Sequence, residues 1–337
     1  MKTTGFLLVT LLFPLLLALQ YGEKPQQIPQ GWPRPLVDFS RMDPDEILLG
    51  RLLFYDPILS RDSSISCASC HSPYNAFAHS DHALSHGIGD SIGFRNAPAL
   101  QLLAWQNRFM WDGRFSSLKE QVLFPITHSG EMGEDTTHLL LKLNRSGRYA
   151  QAGMKAFSDS QLTIQRMQQS ITQFLLTLVP HESRYDSVMR RQQTFSEQEQ
   201  QGYSLFRQHC NSCHTEPLFS DFSFEQNGLT PDSLLQDKGR MSITTKTEDL
   251  LRFKVPSLRN LSYSAPYMHD GRFRSLRQVL AHYTQVAGVE GLRGGRLGKP
   301  IVLSEREQTD LLAFLLTLDD RKFIFDPKNG FPAELVD

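Results

Sequence analysis

Two five-residue units constrain this chain more than any other feature: Cys67-Ala68-Ser69-Cys70-His71 and Cys210-Asn211-Ser212-Cys213-His214. In C-x-x-C-H, two thiols a helical turn apart can be joined covalently to the vinyl groups of a porphyrin. The adjacent histidine then lies under the iron as its proximal ligand. The chain has 4 cysteines, so these units leave none over for a disulfide. A redox dithiol needs a βαβ setting that the pattern lacks. Zinc would have to recruit all four thiols from segments about 140 residues apart. The spacing predicts two covalently attached c-type haems, one per unit.

Residues 1–23 read as a signal peptide: Lys2 precedes a nearly unbroken apolar run from Phe6 to Leu19, about right for an export signal and short for a span. Small residues are scarce around Ala18, so an uncleaved N-terminal anchor is the alternative. The expected location is periplasmic. With 35 basic against 36 acidic side chains, the chain has no electrostatic footprint for nucleic acid. Its 337 residues suit about two domains.

Helix signals dominate. Asp43-Pro44-Asp45-Glu46 supplies an N-cap, a proline at the first helical position and early acids. Ser196 with Glu199, Ser275 with Gln278 and Ser304 with Glu307 repeat the capping box, the last opening a stripe of Leu311, Leu312, Leu315 and Leu318. Convincing period-two runs are missing, so the fold class is mainly α.

The chain also repeats itself. The ten residues from Phe109 to Leu118 return from Tyr267 to Leu276, seven of them identical, and Pro98 and Leu100 return as Pro256 and Leu258 at the same offset of 158. This implies two cytochrome c-like domains related by internal duplication, 24–190 and 191–337, joined near Arg190 to Ser196. After the shared serine and leucine, Pro125 in the first unit answers to Tyr283 in the second. Tyrosine can ligate iron and proline cannot. If this position faces the metal, the second haem is capped and the first is open.

In these motifs the sequence resembles the bacterial di-haem cytochrome c peroxidase family, including its MauG branch. The resemblance runs from about Asp43 to Asp319. It rests on Leu49-Gly50-Arg51 through Cys67, Arg95-Asn96-Ala97-Pro98, Trp111-Asp112-Gly113-Arg114, Pro125 through Glu131-Met132, and Pro256-Ser257-Leu258-Arg259-Asn260 through His269-Asp270-Gly271. It implies that Glu131 is the distal carboxylate beside the peroxidatic haem, with Gln121 and Pro125 in the same pocket. Trp111 would lie between the haems and relay an electron or hole. Asn96, Ser264 and Pro266 would hold a calcium ion, two of them through backbone carbonyls.

Two positions depart from the well-known peroxidases. Their removable distal histidine falls here at Ile88, with His79, His82 and His86 crowding the same loop, so the first haem is expected to be open at rest. Their distal methionine on the second haem falls at Tyr283, as in MauG, with His282 and Met268 as rival ligands. The expected activity is reduction of hydrogen peroxide, with electrons from a small cytochrome c or copper protein. The alternative is a MauG-like oxidase acting on tryptophan or tyrosine of a partner protein. A third reading, from another class, is a di-haem electron carrier without chemistry of its own.

Overall fold

The computed structural model describes residues 28–285, 296–297 and 301–335. The expected signal segment lies outside them. Among the described residues no helix is long and apolar enough to cross a membrane.

Helices begin where the capping chemistry places them. The Asp43 carboxylate accepts the N–H groups of Asp45 (2.9 Å) and Glu46 (3.1 Å), and Pro44 opens helix α1, Pro44–Tyr55. The single turn α2, Cys67–Cys70, carries the first pair of thiols. It is followed by α3 (Leu118–Thr127), α4 (Thr136–Arg145), α5 (Gly147–Phe157) and α6 (Ile164–Leu176). The short α7 (Arg184–Met189) leads into α8, Glu197–His209, whose capping box of Ser196 and Glu199 forms as expected. Then come α9 (Met241–Thr244), α10 (Leu276–Gln285), α11 (Glu305–Leu316) and α12 (Arg321–Ile324). Strands β1 (Phe224–Glu225) and β2 (Phe253–Lys254) pair antiparallel, Phe224 opposite Lys254, and form the one sheet among the described residues.

Each half is built on a crossed helix pair, and both crossings need a glycine. A Cβ on Gly50 of α1 would stand 1.9 Å from the Ser170 carbonyl oxygen of α6, and one on Gly202 of α8 would stand 1.9 Å from that of Asp310 in α11. Without side chains at these points the helix backbones approach closely enough to bury a common core. The first core includes Leu49, Leu53, Phe54, Met167, Ile171 and Phe174. In the second, α11 presents Leu311, Phe314 and Leu315, with Leu318 just beyond it, while Leu312 is only partly buried. The stripe expected from the leucines is therefore centred one step away, because i, i+3, i+4 and i+7 select Phe314 rather than Leu312.

Local structure recurs at the spacing of the sequence repeat. Phe109 bridges Phe115 as Tyr267 bridges Phe273. Met110 and Met268 both take positive φ (68° and 75°), as do Leu102 and Asn260 (60° each). The halves also bond each other reciprocally: Asn96 N–H donates to the His269 carbonyl and Lys254 N–H to the Trp111 carbonyl, each at 2.8 Å.

The end of the chain returns to the first half. Phe323 and Ile324 enter the first core, Arg51 donates to the carbonyls of Pro327 (2.6 Å) and Gly330 (3.0 Å), and the Tyr55 hydroxyl donates to that of Asn329.

Candidate functional site

A cavity of about 490 Å³ opens in the first half. It is lined by α2, with Cys67, Cys70 and the following His71, and by Gln121, Pro125 and Glu131 from α3 and the loop after it. Trp111, Asn96, Ser264 and Pro266 border the same space toward the second half.

His71 is oriented from behind. Its Nδ1 lies 2.8 Å from the Phe77 carbonyl oxygen, which makes Nδ1 the donor and leaves Nε2 as the coordinating nitrogen. Burial lowers its pKa to about 4, against the opposing pull of that carbonyl, so the imidazole is neutral, the form that binds metal. Burial pushes the Cys67 thiol up to about 12, and Cys70 beside it acts in the same direction. A thiol held protonated is a poor redox nucleophile, which weighs against a dithiol oxidoreductase. A lined cavity, two thiols one turn apart and an imidazole with a fixed tautomer fit a covalently attached haem.

Helix α3 contains Pro125 within its run, which withholds a hydrogen bond from the Gln121 carbonyl. The chain then doubles back, Met132 N–H donating to the Pro125 carbonyl at 3.1 Å, and this turn sets Glu131 at the cavity. Burial raises the Glu131 pKa, while His128, whose Nδ1 is 3.7 Å from the carboxylate, and Arg114 pull it down. Sequence reasoning did not single out His128 or Arg114. The i,i+3 spacing of His128 and Glu131 was the available signal.

Of the three loop histidines, only His86 borders the cavity, and its Nδ1 is engaged by Asp90 at 2.5 Å. The His82 ring lies 5.0 Å from it and 5.9 Å from that of the buried His79. Ile88 sits under the carboxylate loop, its N–H donating to the Glu131 carbonyl at 2.7 Å.

Trp111 is gripped from both halves. Its indole N–H donates to the Asn96 carbonyl (2.8 Å), and its own carbonyl accepts from Lys254 N–H. Beneath it Arg95 bonds Asp112 (2.7 Å) and, through two nitrogens, Asp237 (2.6 and 2.8 Å), tying residues 142 apart. Burial raises Asp237, but Arg95 more than offsets this and holds the carboxyl below its ordinary range.

Asn96 spends its amide N–H on the Ala83 carbonyl (3.0 Å) and turns its oxygen elsewhere. That oxygen and the carbonyls of Ser264 and Pro266 carry no hydrogen bond among the described residues. Three neutral oxygens are a donor set that fits a hard cation such as calcium completed by water. Among the described residues, no cluster of three or more His, Cys, Asp or Glu offers another metal site.

The second C-x-x-C-H unit stands apart from this cavity. His214 Nδ1 lies 3.1 Å from the Pro256 carbonyl and 3.2 Å from that of Phe219, again leaving Nε2 for a metal. Burial raises the Tyr283 hydroxyl, with Cys210 and Cys213 adding to the effect, so this side chain lies in the neighbourhood of the second pair of thiols. Its neighbour His282 is occupied elsewhere, with Nε2 2.8 Å from the Asn227 carbonyl. Met268 Sδ is 3.5 Å from the Asn227 amide nitrogen.

Residues 44–194 match the family described as di-haem cytochrome c peroxidase. The methylamine utilization protein MauG of Methylophilus methylotrophus is 34% identical over 308 residues, spanning 88% of this chain and 87% of that protein. Cytochrome-c peroxidase IdrP2 of Pseudomonas sp. (strain SCT) is 32% identical, spanning 87% and 86%. A crystal structure of a MauG-like protein associated with microbial copper homeostasis superposes with a TM-score of 0.81 at 28% identity, covering 90% of this chain and 98% of that one.

Proposed function

This chain belongs to the di-haem cytochrome c peroxidase family, which includes MauG, and is a peroxidase-like oxidoreductase; from that premise we propose that it is an exported peroxidase with one open and one capped haem site. Cys67, Cys70 and His71 hold the first haem, and Cys210, Cys213 and His214 hold the second, in two domains that arose by duplication. When bound, the first haem supplies a coordination site for hydrogen peroxide and the second a store of one oxidising equivalent.

The single observation that carries this reading is that Glu131 and His71 line one cavity. Splitting the O–O bond requires a proton to leave the inner oxygen and arrive at the outer one. The Glu131 carboxylate takes that proton and returns it, and the half-buried position that raises its pKa makes it a better base than a solvated acid. His128, 3.7 Å away, pulls the carboxylate toward its charged form. Pro125 and Gln121 shape the same wall with no group that competes for a metal in the case of Pro125. Trp111, fixed at both its indole and its carbonyl, carries charge between the halves. Asn96, Ser264 and Pro266 bind calcium beside it. The full turnover takes two electrons and two protons and yields two waters, with a small cytochrome c or copper protein as donor.

A second reading is favoured by Tyr283. A phenolate favours ferric or higher states over ferrous iron, which suits oxidation of tryptophan or tyrosine on a partner protein, as in a MauG-like oxidase. A peroxide-dependent mass change confined to the aromatic residues of a protein encoded beside this one supports it.

The deciding experiment is Glu131→Gln in the di-haem holoprotein. The peroxide-dependent rate is expected to fall about 10²–10⁴-fold with both haems retained. A variant that turns over like the parent, or a ferric spectrum with no high-spin fraction, leaves only an electron carrier.

A further inference from the structure

Applied to the cation-binding residues, the spacing of 158 gives a second set: Asn96 answers to Lys254, Ser264 to Gln106 and Pro266 to Arg108. The correspondence is spatial as well. The reciprocal bonds of Asn96 to His269 and Lys254 to Trp111 are the mark of a two-fold exchange, in which each half does to the other what is done to it. Gln101 and Arg259, themselves repeat mates, meet directly, the Gln101 amide donating to the Arg259 carbonyl at 2.6 Å.

In the second set the centre is filled by the chain. Lys254 Nζ donates to the Gln106 side-chain oxygen (2.5 Å) and to the Arg108 carbonyl (3.0 Å), the counterparts of Ser264 and Pro266. Phe109 faces the same group, its ring centre 6.0 Å from Nζ. In the first set Asn96 brings a neutral amide whose oxygen accepts no hydrogen bond among the described residues, and no side chain there supplies a positive group in the place that Lys254 fills.

We propose that the Lys254 amino group is the built-in counterpart of the calcium ion, occupying the repeat-related cage so that the chain binds one cation where its symmetry offers two places. This rests on the reading of Asn96, Ser264 and Pro266 as the calcium site. Both occupants bear on Trp111, one through the Asn96 carbonyl that receives the indole N–H and the other through the backbone of Lys254 itself. Lys254 is thus a positioning residue for the charge-carrying tryptophan.

The test is metal content of the purified di-haem holoprotein, equilibrated with calcium chloride, desalted and measured by atomic emission. The parent is expected to hold one calcium, Lys254→Asn two, and Asn96→Lys none, the new ammonium replacing the ion. Lys254→Met, which adds no oxygen, stays at one. A parent without calcium overturns the calcium reading and the proposal together. A parent with one calcium and a Lys254→Asn protein still at one overturns the proposal alone. Should Lys254→Asn not fold, the Asn96→Lys protein decides: a folded variant that keeps its calcium refutes the equivalence.

Discussion

Replacing Arg259 by methionine isolates a charge that is fully buried, the most deeply so among the described residues. The side chain is 0% exposed and donates twice to Asp186 (2.8 Å each) and twice to the Pro217 carbonyl (3.1 and 2.8 Å). Burial raises the Asp186 pKa, and Arg259 more than cancels that effect, holding the carboxyl below its ordinary range. Methionine fills most of the space of the lost stem but strands Asp186, which keeps only the Ser183 N–H and hydroxyl. Removing one partner of a buried pair costs about 3–5 kcal/mol, a large share of the roughly 5–15 kcal/mol that holds a domain folded. The midpoint of urea unfolding, followed by far-UV circular dichroism on the holoprotein, should fall accordingly. Adding Asp186→Asn removes the stranded charge and should return more than half of the loss. The sign with pH follows from the depressed Asp186 pKa: the contribution of the pair is present above the unfolded value of about 3.9 and disappears as pH falls through the folded one. A loss under about 1 kcal/mol, or a double variant less stable than the single, refutes the reasoning that links burial to this pair.

Two further outcomes follow from the same geometry. Gly202→Ala places a methyl 1.9 Å from the Asp310 carbonyl oxygen, so α8 and α11 must separate, costing about 1–3 kcal/mol in thermal or urea unfolding; unchanged stability would show that the helices do not meet there. The peroxide-dependent rate should rise with pH through a carboxyl titration above the ordinary glutamate range, because burial raises Glu131 and its proton-accepting form is the charged one; that limb should vanish in Glu131→Gln, and its persistence there would assign it to another group.

What could be read along the chain was local or periodic. The caps at Asp43, Ser196 and Ser304 need only a few consecutive residues, and each opens a helix. The repeat by itself aligns Pro125 with Tyr283. What could not be read depends on partners far away in sequence. The Arg95 clasp needs Asp237 to arrive from the other half, and the distinction between Tyr283 and His282 turns on the Asn227 carbonyl, 55 residues from the ring it engages. Lys254 lay between these cases. The offset sets it opposite Asn96, but an amine opposite an amide looks like divergence until its Nζ is seen on the oxygens of Gln106 and Arg108. A run read for its leucines likewise favours Leu312 over Phe314, whereas the face that α11 turns to the core, opposite Gly202 of α8, takes Phe314.

The return of residues 321–335 to the first half makes the order of synthesis differ from the order of completion. Phe54 and Phe77 stand in the first core, yet Phe323, whose ring centre lies 6.0 Å from that of Phe77, is made only after the whole second half. The N-terminal half is thus capped by its own chain's tail, and the second half must be traversed before the first is closed. Until then the α2 turn with its two thiols sits on an unfinished wall.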